Sequence, residues 1–381
     1  MELKKRMKKK SFAAGICVLS LITGCSGNVV SGDVISENEL VEAAVSENVA
    51  SEDNVLENIV SEDIVLENIV SEDAISENTV SENAIVFVSW EDAGLEDHVM
   101  DWGDRVLQLH MREITGIEDR DIMLSDVWEY TKFDLHDGIH VGEEGELIYI
   151  NASILSITAL GELKNLQVLN LGYNNALNDI SALSSLTNLR ELNLWHIEGL
   201  GECDLSDLSV LSGLTNLEIL NLGGNVRISD LSALSGLTNL RELNLASHRF
   251  ISDISALSTL TNLEKLNLSC YGDNGIRDIS ALSELTNLRE LNLNDNRISD
   301  ISSLSGMKNL EVLKLEGNEI SDISVLSGMV NLRVLDLSGN EISDLSVLSG
   351  LTKLEQLTAW GNPLQDDSDS WYSSWRIEHS Q

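Results

Sequence analysis

The chain has 381 residues, of which 63 are acidic and 24 basic, so its formal net charge is −39 at pH 7. A surface of that sign repels phosphate, which argues against nucleic acid and anionic membranes as electrostatic partners. The length would suggest two or three domains, but the chain repeats itself, so length here counts the turns of an array.

The first 24 residues have the pattern of an export signal. Six basic residues lie within the first ten positions, and residues 11–24 are uncharged and mostly apolar or small. This run is shorter than the about 20 apolar residues of a membrane-spanning helix. It ends in LITGC, which resembles the lipobox of bacterial lipoproteins and implies cleavage before Cys25 and lipidation of its thiol. An ordinary signal peptide is the alternative.

Residues 25–83 are predicted to form an acidic spacer. From Ile35 to Asn83 a five-residue period places Glu at every fifth position, and no Lys or Arg interrupts it. Neither a helix nor a strand with this period has an apolar face to bury. We expect a flexible, self-repelling spacer that is disordered; a small pentad solenoid is the alternative.

Residues 84–141 are predicted to form a helical cap. Five apolar residues recur at the spacing of one helix face: Leu95, Val99, Trp102, Val106 and Leu109. A second short helix is expected to begin within residues 114–121, with Thr115 or Asp119 as its N-cap. A repeat array needs such a cap because its first turn would otherwise expose its core to water. A separate enzymatic domain is the alternative.

A Leu-x-Leu pair recurs ten times, at intervals of 22 to 28 residues. The first leucines of the pairs are Leu147, Leu169, Leu192, Leu220, Leu243, Leu266, Leu291, Leu313, Leu335 and Leu357. The alternation predicts short strands with leucines inward, and stacking of ten such strands predicts a parallel sheet. An Ile-Ser-Asp segment usually follows, and its Ser and Asp are good caps for a short 3₁₀ turn.

The repeated motif L-x-x-L-x-L-x-x-N-x-I-S-D-I resembles the leucine-rich-repeat family. Together with the helical cap and the export signal it resembles bacterial internalin-like surface proteins. The resemblance implies an α/β solenoid whose parallel, concave β-sheet binds proteins or glycans and which has no catalytic activity. We assign the repeats to residues 142–364 and a C-terminal cap to residues 365–381. The family's inward ladder asparagine matches Asn174, Asn225, Asn296, Asn318, Asn340 and Asn362, with a structural role.

Three turns depart from the motif. Ile197, His248 and Tyr271 stand where the ladder asparagine is expected, and two of these turns are lengthened to 28 and 25 residues. Local rules fail most often at functional or strained sites, although neutral loop variation would look the same. The two cysteines beyond Cys25, Cys203 and Cys270, fall three turns or about 15 Å apart, so we expect free thiols.

The residues between the inward leucines should face a partner. Asparagine holds the central outward position in six successive turns: Asn170, Asn193, Asn221, Asn244, Asn267 and Asn292. Such a stripe of amides suits a polar chain such as an extended peptide or an oligosaccharide. Stacking of the amides along the sheet, with a structural role only, is the alternative.

Trp195 is the strongest single candidate for partner binding. An outward Trp on a strand has no core to fill, and Trp is enriched among interface hot spots. His196, Tyr173, Arg249 and Phe250 are its expected neighbours near one rim.

These observations predict a lipid-anchored binding protein at the extracellular face of a bacterial membrane, with a monomeric ectodomain. A protein partner is the first expectation; a surface glycan or self-assembly are the alternatives. His136 and His140 have the spacing of a metal pair, but the sequence places no third ligand. No catalytic residues, metal, cofactor or nucleic-acid partner are therefore predicted.

Overall fold

The computed structural model describes residues 89–90, 95–136, 153–177, 179–196, 205–270 and 275–364, with two further short strands at 139–141 and 147–149. All of them belong to one compact unit, Val80–Gln381. The predicted signal peptide, Cys25, the acidic spacer, Cys203 and residues 365–381 lie outside the described residues. Within the described part, no helix is long and apolar enough to cross a membrane.

Two α-helices precede a series of short strands and 3₁₀ turns. The helices are α1 (Arg105–Thr115) and α2 (Leu124–Val127). The strands are β1 (Lys132–Asp134), β2 (Ile139–Val141), β3 (Leu147–Tyr149), β4 (Val168–Asn170), β5 (Glu191–Asn193), β6 (Ile219–Asn221), β7 (Glu242–Asn244), β8 (Lys265–Asn267), β9 (Glu290–Asn292), β10 (Val312–Lys314), β11 (Val334–Asp336) and β12 (Gln356–Thr358). A 3₁₀ turn follows each strand from β3 to β11, the first at Thr158–Glu162 and the last at Ser346–Gly350.

The predicted parallel sheet is confirmed. It has ten strands in the order β1-β4-β5-β6-β7-β8-β9-β10-β11-β12. From β4 onward each inward leucine is in register with the leucine of the next strand, as Leu291 is with Leu313. The structure is therefore the curved leucine-rich-repeat solenoid that the sequence predicted.

The first strand of the sheet is not the predicted one. Leu147–Tyr149 is β3, which pairs antiparallel with β2 in a separate two-stranded sheet. Its place is taken by β1, where Phe133 is in register with Leu169. Phe133 and Leu135 alternate as a Leu-x-Leu pair does, and both are buried. The assignment failed because an aromatic residue replaces the first leucine and a hairpin lengthens this turn.

The core lies between the sheet and the convex 3₁₀ turns. In the turn after β10 the residues predicted to be buried, Ile320, Ile323, Leu326 and Met329, are at most 3% exposed. On the convex surface an Asp carboxylate accepts the backbone N–H of the Ser two residues later in each of eight turns, at 2.7–2.8 Å. The Asp side chain thus binds the first N–H of the 3₁₀ turn from the position before the N-cap, which is Ile or Leu, and the predicted capping by Ser is not found in these turns.

The six ladder asparagines turn inward as expected. Asn318 is typical, because its Nδ2 donates to the carbonyls of Leu293 in the preceding turn and Leu315 in its own turn. Its Oδ1 accepts the N–H of Ile298 at 3.0 Å. The amide therefore satisfies buried backbone groups of two adjoining turns, which is a structural role.

The cap is helical, but its helix differs from the predicted one. α1 begins only at Arg105, after Gly103 at φ 61° and the N-cap Asp104, whose Oδ1 accepts the N–H groups of Val106 and Leu107. The stripe from Leu95 to Leu109 is therefore not one helix face, and the buried face is Leu107, His110 and Met111.

The predicted start of the second helix was also wrong. Thr115 is the last residue of α1, and α2 begins only at Leu124, with Met123 as its N-cap. The other oxygen of Asp104 accepts the N–H of Leu155 at 2.7 Å, which joins the cap to the first repeat.

Candidate binding surface

The concave face is lined by the side chains that flank the inward leucine of each strand. The predicted asparagine stripe lies there, one residue per strand from β4 to β9, and each of its members is partly buried. In every one, the side-chain Oδ1 accepts the backbone N–H two residues later, at 2.9–3.2 Å. Each amide oxygen therefore uses one of its two lone pairs to close the turn after its own strand.

The donor halves of these amides differ along the stripe. Asn193 Nδ2 donates to Asn170 Oδ1 at 2.9 Å, and Asn170 Nδ2 donates to Asp134 Oδ1 at 2.8 Å. Asp134 also pairs with His136 at 2.6 Å, and this hydrogen bond is the main reason that the pKa of Asp134 lies below its ordinary value. In the part of the chain that the structure describes, four others donate to no protein atom: Asn221, Asn244, Asn267 and Asn292.

These four amides border a shallow trough of about 360 Å³ across β6 to β10. Its floor carries charge at the outward position before the inward leucine in three strands, β7, β8 and β9. Lys265 Nζ lies 3.2 Å from Glu242 Oε1 and 3.8 Å from Glu290 Oε1. The trough thus presents a row of amide donors beside two carboxylates that share one cation.

Trp195, Tyr173 and His196 lie close together at the edge where the chain leaves the sheet, and we call this group the aromatic shelf. Tyr173 is 43% exposed, and its ring centroid lies 5.8 Å from that of His196. Trp195 is partly buried because its ring lies on Gly223. A Cβ atom at Gly223 would be 2.3 Å from Trp195 Cζ3. One face of the indole is thus covered by backbone, which corrects the expectation of a fully outward side chain.

The backbone under this shelf is strained. Tyr173 and His196 have φ of 63° and 51°, at the position where later turns have glycine, such as Gly317. A bulky residue in the left-handed region costs about 1–2 kcal/mol, and such strain is concentrated at functional sites. The sequence signal was available, because the glycine before the ladder asparagine is missing in these turns.

The repeats of this chain are similar to those of known proteins. A family model for leucine-rich repeats matches residues 215–258, 238–284, 286–328 and 330–373. The crystal structure of an internalin C2 from Listeria monocytogenes str. 4b F2365 is 30% identical with a TM-score of 0.52, and the match covers 61% of this chain and 93% of that chain. The chain belongs to the internalin-like family of leucine-rich-repeat proteins.

A second solved structure is similar. The internalin inlF from the same Listeria strain is 28% identical with a TM-score of 0.51, covering 70% of this chain and 85% of that chain. No curated protein sequence matches this internalin-like chain.

Arg249 and Phe250 do not extend the aromatic shelf. Phe250 is 51% exposed and lines a different pocket, together with Arg277 and Arg297. Both residues follow β7 at a point where the chain has already left the sheet, so the alternation along the strands could not place them.

The opposite edge of this internalin-like sheet carries two ladders that the sequence analysis missed. Arg and Glu alternate two positions before the inward leucine: Arg190, Glu218, Arg241, Glu264, Arg289, Glu311, Arg333 and Glu355. Four Arg–Glu pairs between adjacent turns lie at 2.6–2.9 Å. Seven asparagines donate Nδ2 to a carbonyl of the preceding turn at 2.8–3.0 Å: Asn188, Asn216, Asn239, Asn262, Asn287, Asn309 and Asn331. Aligning these columns by turn would have shown both.

His248 marks the interruption of the ladder asparagines. It is 3% exposed, and its Nδ1 donates to the carbonyl of Asn225 at 2.6 Å. Its Nε2 is buried and has no hydrogen-bond partner among the described atoms. Cys270 is a buried free thiol that donates to the carbonyl of His248 at 3.2 Å. Ile197 and Tyr271, the other two departures, lie outside the described residues.

No metal-binding arrangement is found among the described residues, where no group of three His, Cys, Asp or Glu side chains is suitably placed. His136 is engaged with Asp134, and the side chain of His140 lies outside the described residues. The surface consists of amides, carboxylates and aromatic rings, which bind by hydrogen bonding and packing.

Proposed function

We propose that this internalin-like chain is a lipid-anchored protein at the extracellular face of a bacterial membrane, and that its concave face recognises a protein partner. The observation that carries the proposal is the aromatic shelf of Tyr173, Trp195 and His196, held on a strained backbone beside the asparagine stripe. The solenoid itself needs no such residues there, since glycine occupies the equivalent positions of several other turns.

The aromatic shelf has the properties of an interface hot spot. Hot spots are enriched in Trp and Tyr and lie in well-packed places from which water is excluded on binding. The indole of Trp195 meets this condition, because it lies on Gly223 and a partner would cover only its outer face. Little conformational entropy would be lost on binding.

Charge favours a partner with basic groups. Glu316 lies near Asp295 and Asp336 on the carboxyl-terminal side of the face, and burial first, then these two carboxylates, raise the pKa of Glu316. Cationic side chains of a partner would relieve this repulsion. The net charge of −39 argues equally against nucleic acid.

A glycan is the second candidate, favoured by the four unpaired amide donors. Neighbouring strands are about 4.8 Å apart, whereas an extended peptide advances at most about 3.6 Å per residue. A chain of sugar rings, one ring per strand, matches the donor spacing better than a peptide that runs along the trough. If the ligand is a glycan, the aromatic shelf contributes less to binding, and the main contacts are the amides of Asn221, Asn244, Asn267 and Asn292.

A pull-down with the full chain tests both candidates. The variant Trp195→Ala with Asn221→Ala should lose the partner that the wild type retains, and Trp360→Ala is the matched control because it is a 65% exposed Trp in the last turn. A captured partner that survives glycosidase treatment and is destroyed by protease supports a protein; the reverse supports a glycan. Equal recovery by wild type and double variant would move the site away from the concave face.

The anchor has its own test. Cys25→Ala should release the protein from the membrane fraction of expressing bacteria, because the thiol is the predicted attachment point of the lipid. A variant at Cys17, inside the predicted signal peptide, is the control and should remain membrane-bound. Continued membrane association of Cys25→Ala would contradict lipidation.

A further inference from the structure

A second pocket lies on the edge where the chain leaves the sheet and turns to the convex side. We call it the Phe250 pocket; it has a volume of about 470 Å³ and is lined by Phe250, Ser252, Gly275, Arg277, Asp278 and Arg297. Three consecutive turns, those that follow β7, β8 and β9, contribute to it. A volume in this range is typical of sites for small ligands.

The pocket opens because one side chain is missing. The residue directly before the buried isoleucine of these turns is Phe250, Gly275 and Arg297 in order. A Cβ atom at Gly275 would lie 2.7 Å from the Cα atom of Asn296, so the close approach of the next turn permits only glycine there. The side chains of Phe250 and Arg297 consequently form two sides of the pocket, and the backbone of Gly275 lies between them.

The arginines near this pocket are unlike those of the opposite edge. In the described residues, the edge arginines pair with glutamates at 2.6–2.9 Å. Arg297 and Arg249 make no ion pair with any described residue, and Arg277 approaches a carboxylate only at 4.0 Å, that of Glu319. In a chain with 63 acidic residues, Arg297 without an ion pair and Arg277 with only a long one lie beside an exposed Phe, where both can bind an external anion.

We propose that the Phe250 pocket binds a small acidic sugar. Arg277 and Arg297 would hold its carboxylate or sulfate group, since guanidinium groups bind such anions through paired, charge-assisted hydrogen bonds. The ring of Phe250 offers an apolar face to the sugar ring. Ser252 and the carboxylate of Asp278, which already accepts the N–H of Ser280 at 2.8 Å, accept hydrogen bonds from sugar hydroxyls.

The surroundings favour a small ligand over an anionic polymer. In the two turns that follow, the position of Arg297 is occupied by Glu319 and Glu341. The convex surface beside the pocket carries a row of Asp carboxylates, including Asp253 and Asp278. A long polyanion would therefore meet repulsion on both sides. Asp278 also disfavours a bare anion, which could not donate a hydrogen bond to it.

Titration calorimetry of the full chain in detergent tests the proposal, with the disaccharide of glucuronate and N-acetylglucosamine as the probe. We expect one saturable site, and weakening of about tenfold or more for Arg277→Ala and for Phe250→Ala, because each removes a direct contact. Arg333→Ala, which lies on the opposite edge, and Trp195→Ala, on the aromatic shelf, should bind like the wild type. The last control separates this site from the proposed concave-face function.

Two further measurements show whether the pocket recognises the acidic group, the sugar ring or both. The neutral disaccharide N,N′-diacetylchitobiose should bind at least about tenfold more weakly, because it lacks the group held by the two arginines. If sodium sulfate displaces the acidic disaccharide and Phe250→Ala has no effect, the pocket holds a simple anion and the sugar assignment is wrong. Absence of binding by the wild type, or unchanged binding by Arg277→Ala, overturns the proposal; Arg277 is largely exposed, so its replacement leaves the fold intact.

Discussion

Acidification should weaken the repeat array through the buried residue His248. Burial lowers the pKa of this imidazole from 6.5 to about 4. Its Nδ1–H already donates to Asn225, and protonation would place a second N–H on Nε2, which has no acceptor among the described atoms. The folded state therefore favours neutral His248, and this contribution to stability is complete above pH 6.5 and is lost as the pH falls towards 4.

The size of the effect follows from the two pKa values. Between them, each pH unit changes the free energy of unfolding by about 1.4 kcal/mol, so about 2 kcal/mol is lost at pH 5 relative to pH 7.5. The chain has many carboxylates that also titrate in acid, so a matched variant is needed. His248→Asn introduces the ladder residue that the preceding turn has at Asn225 and removes the titrating group.

Urea unfolding followed by circular dichroism at pH 7.5, 6.5, 5.5 and 5.0 measures the difference. The wild type should lose about 2 kcal/mol more than His248→Asn on going from pH 7.5 to pH 5.0. Equal losses in the two proteins would show that His248 is either solvated or already protonated, and the argument from its burial would fail.

Three further outcomes are expected. Asn318→Ala should cost about 2–4 kcal/mol of unfolding free energy, because it leaves buried backbone groups of two turns unpaired, whereas Asn309→Ala on the exposed edge should cost less than about 1 kcal/mol; equal costs in urea melts would contradict the ladder argument. Arg333→Ala should lower the urea midpoint at low salt and match the wild type in 0.5 M NaCl, since salt screens exposed pairs; a salt-independent loss would point to packing instead. Gly223→Ala should displace the ring of Trp195 and shift tryptophan emission to longer wavelength, and an unchanged spectrum would show that the ring does not lie on this glycine.

Much of the fold could be predicted because the same pattern of leucines and asparagines recurs in many turns. Leucines at alternate positions can be buried only by a strand, and an asparagine that recurs beside them needs a buried partner, which Asn318 finds in Leu293 and Ile298. Each turn repeats this evidence. Where the pattern occurs once, as in the cap, the reasoning was less secure, and the helix was placed too early because Gly103 and Asp104 were not recognised as its beginning.

The candidate surface was only partly predictable. The sequence placed Trp195, Tyr173 and His196 together, since Tyr173 and His196 occupy corresponding positions of adjoining turns and Trp195 directly precedes His196. It did not show that Trp195 lies on Gly223, or that Phe250 belongs to another pocket with Arg297. Both depend on how the next turn approaches, and the turns between β5 and β9 differ in length.

The sequence by itself determined the stacking of turns, the inward leucines, the ladder asparagines and the outward asparagine stripe, because local alternation and burial fix these positions within one turn. Only the tertiary structure decided that β1 begins the sheet, that the amides of Asn170 and Asn193 donate to the preceding strand, and that Arg and Glu pair along the far edge. These features arise between turns. Their physical cause is the approach of one backbone to the next, which no single turn of sequence encodes.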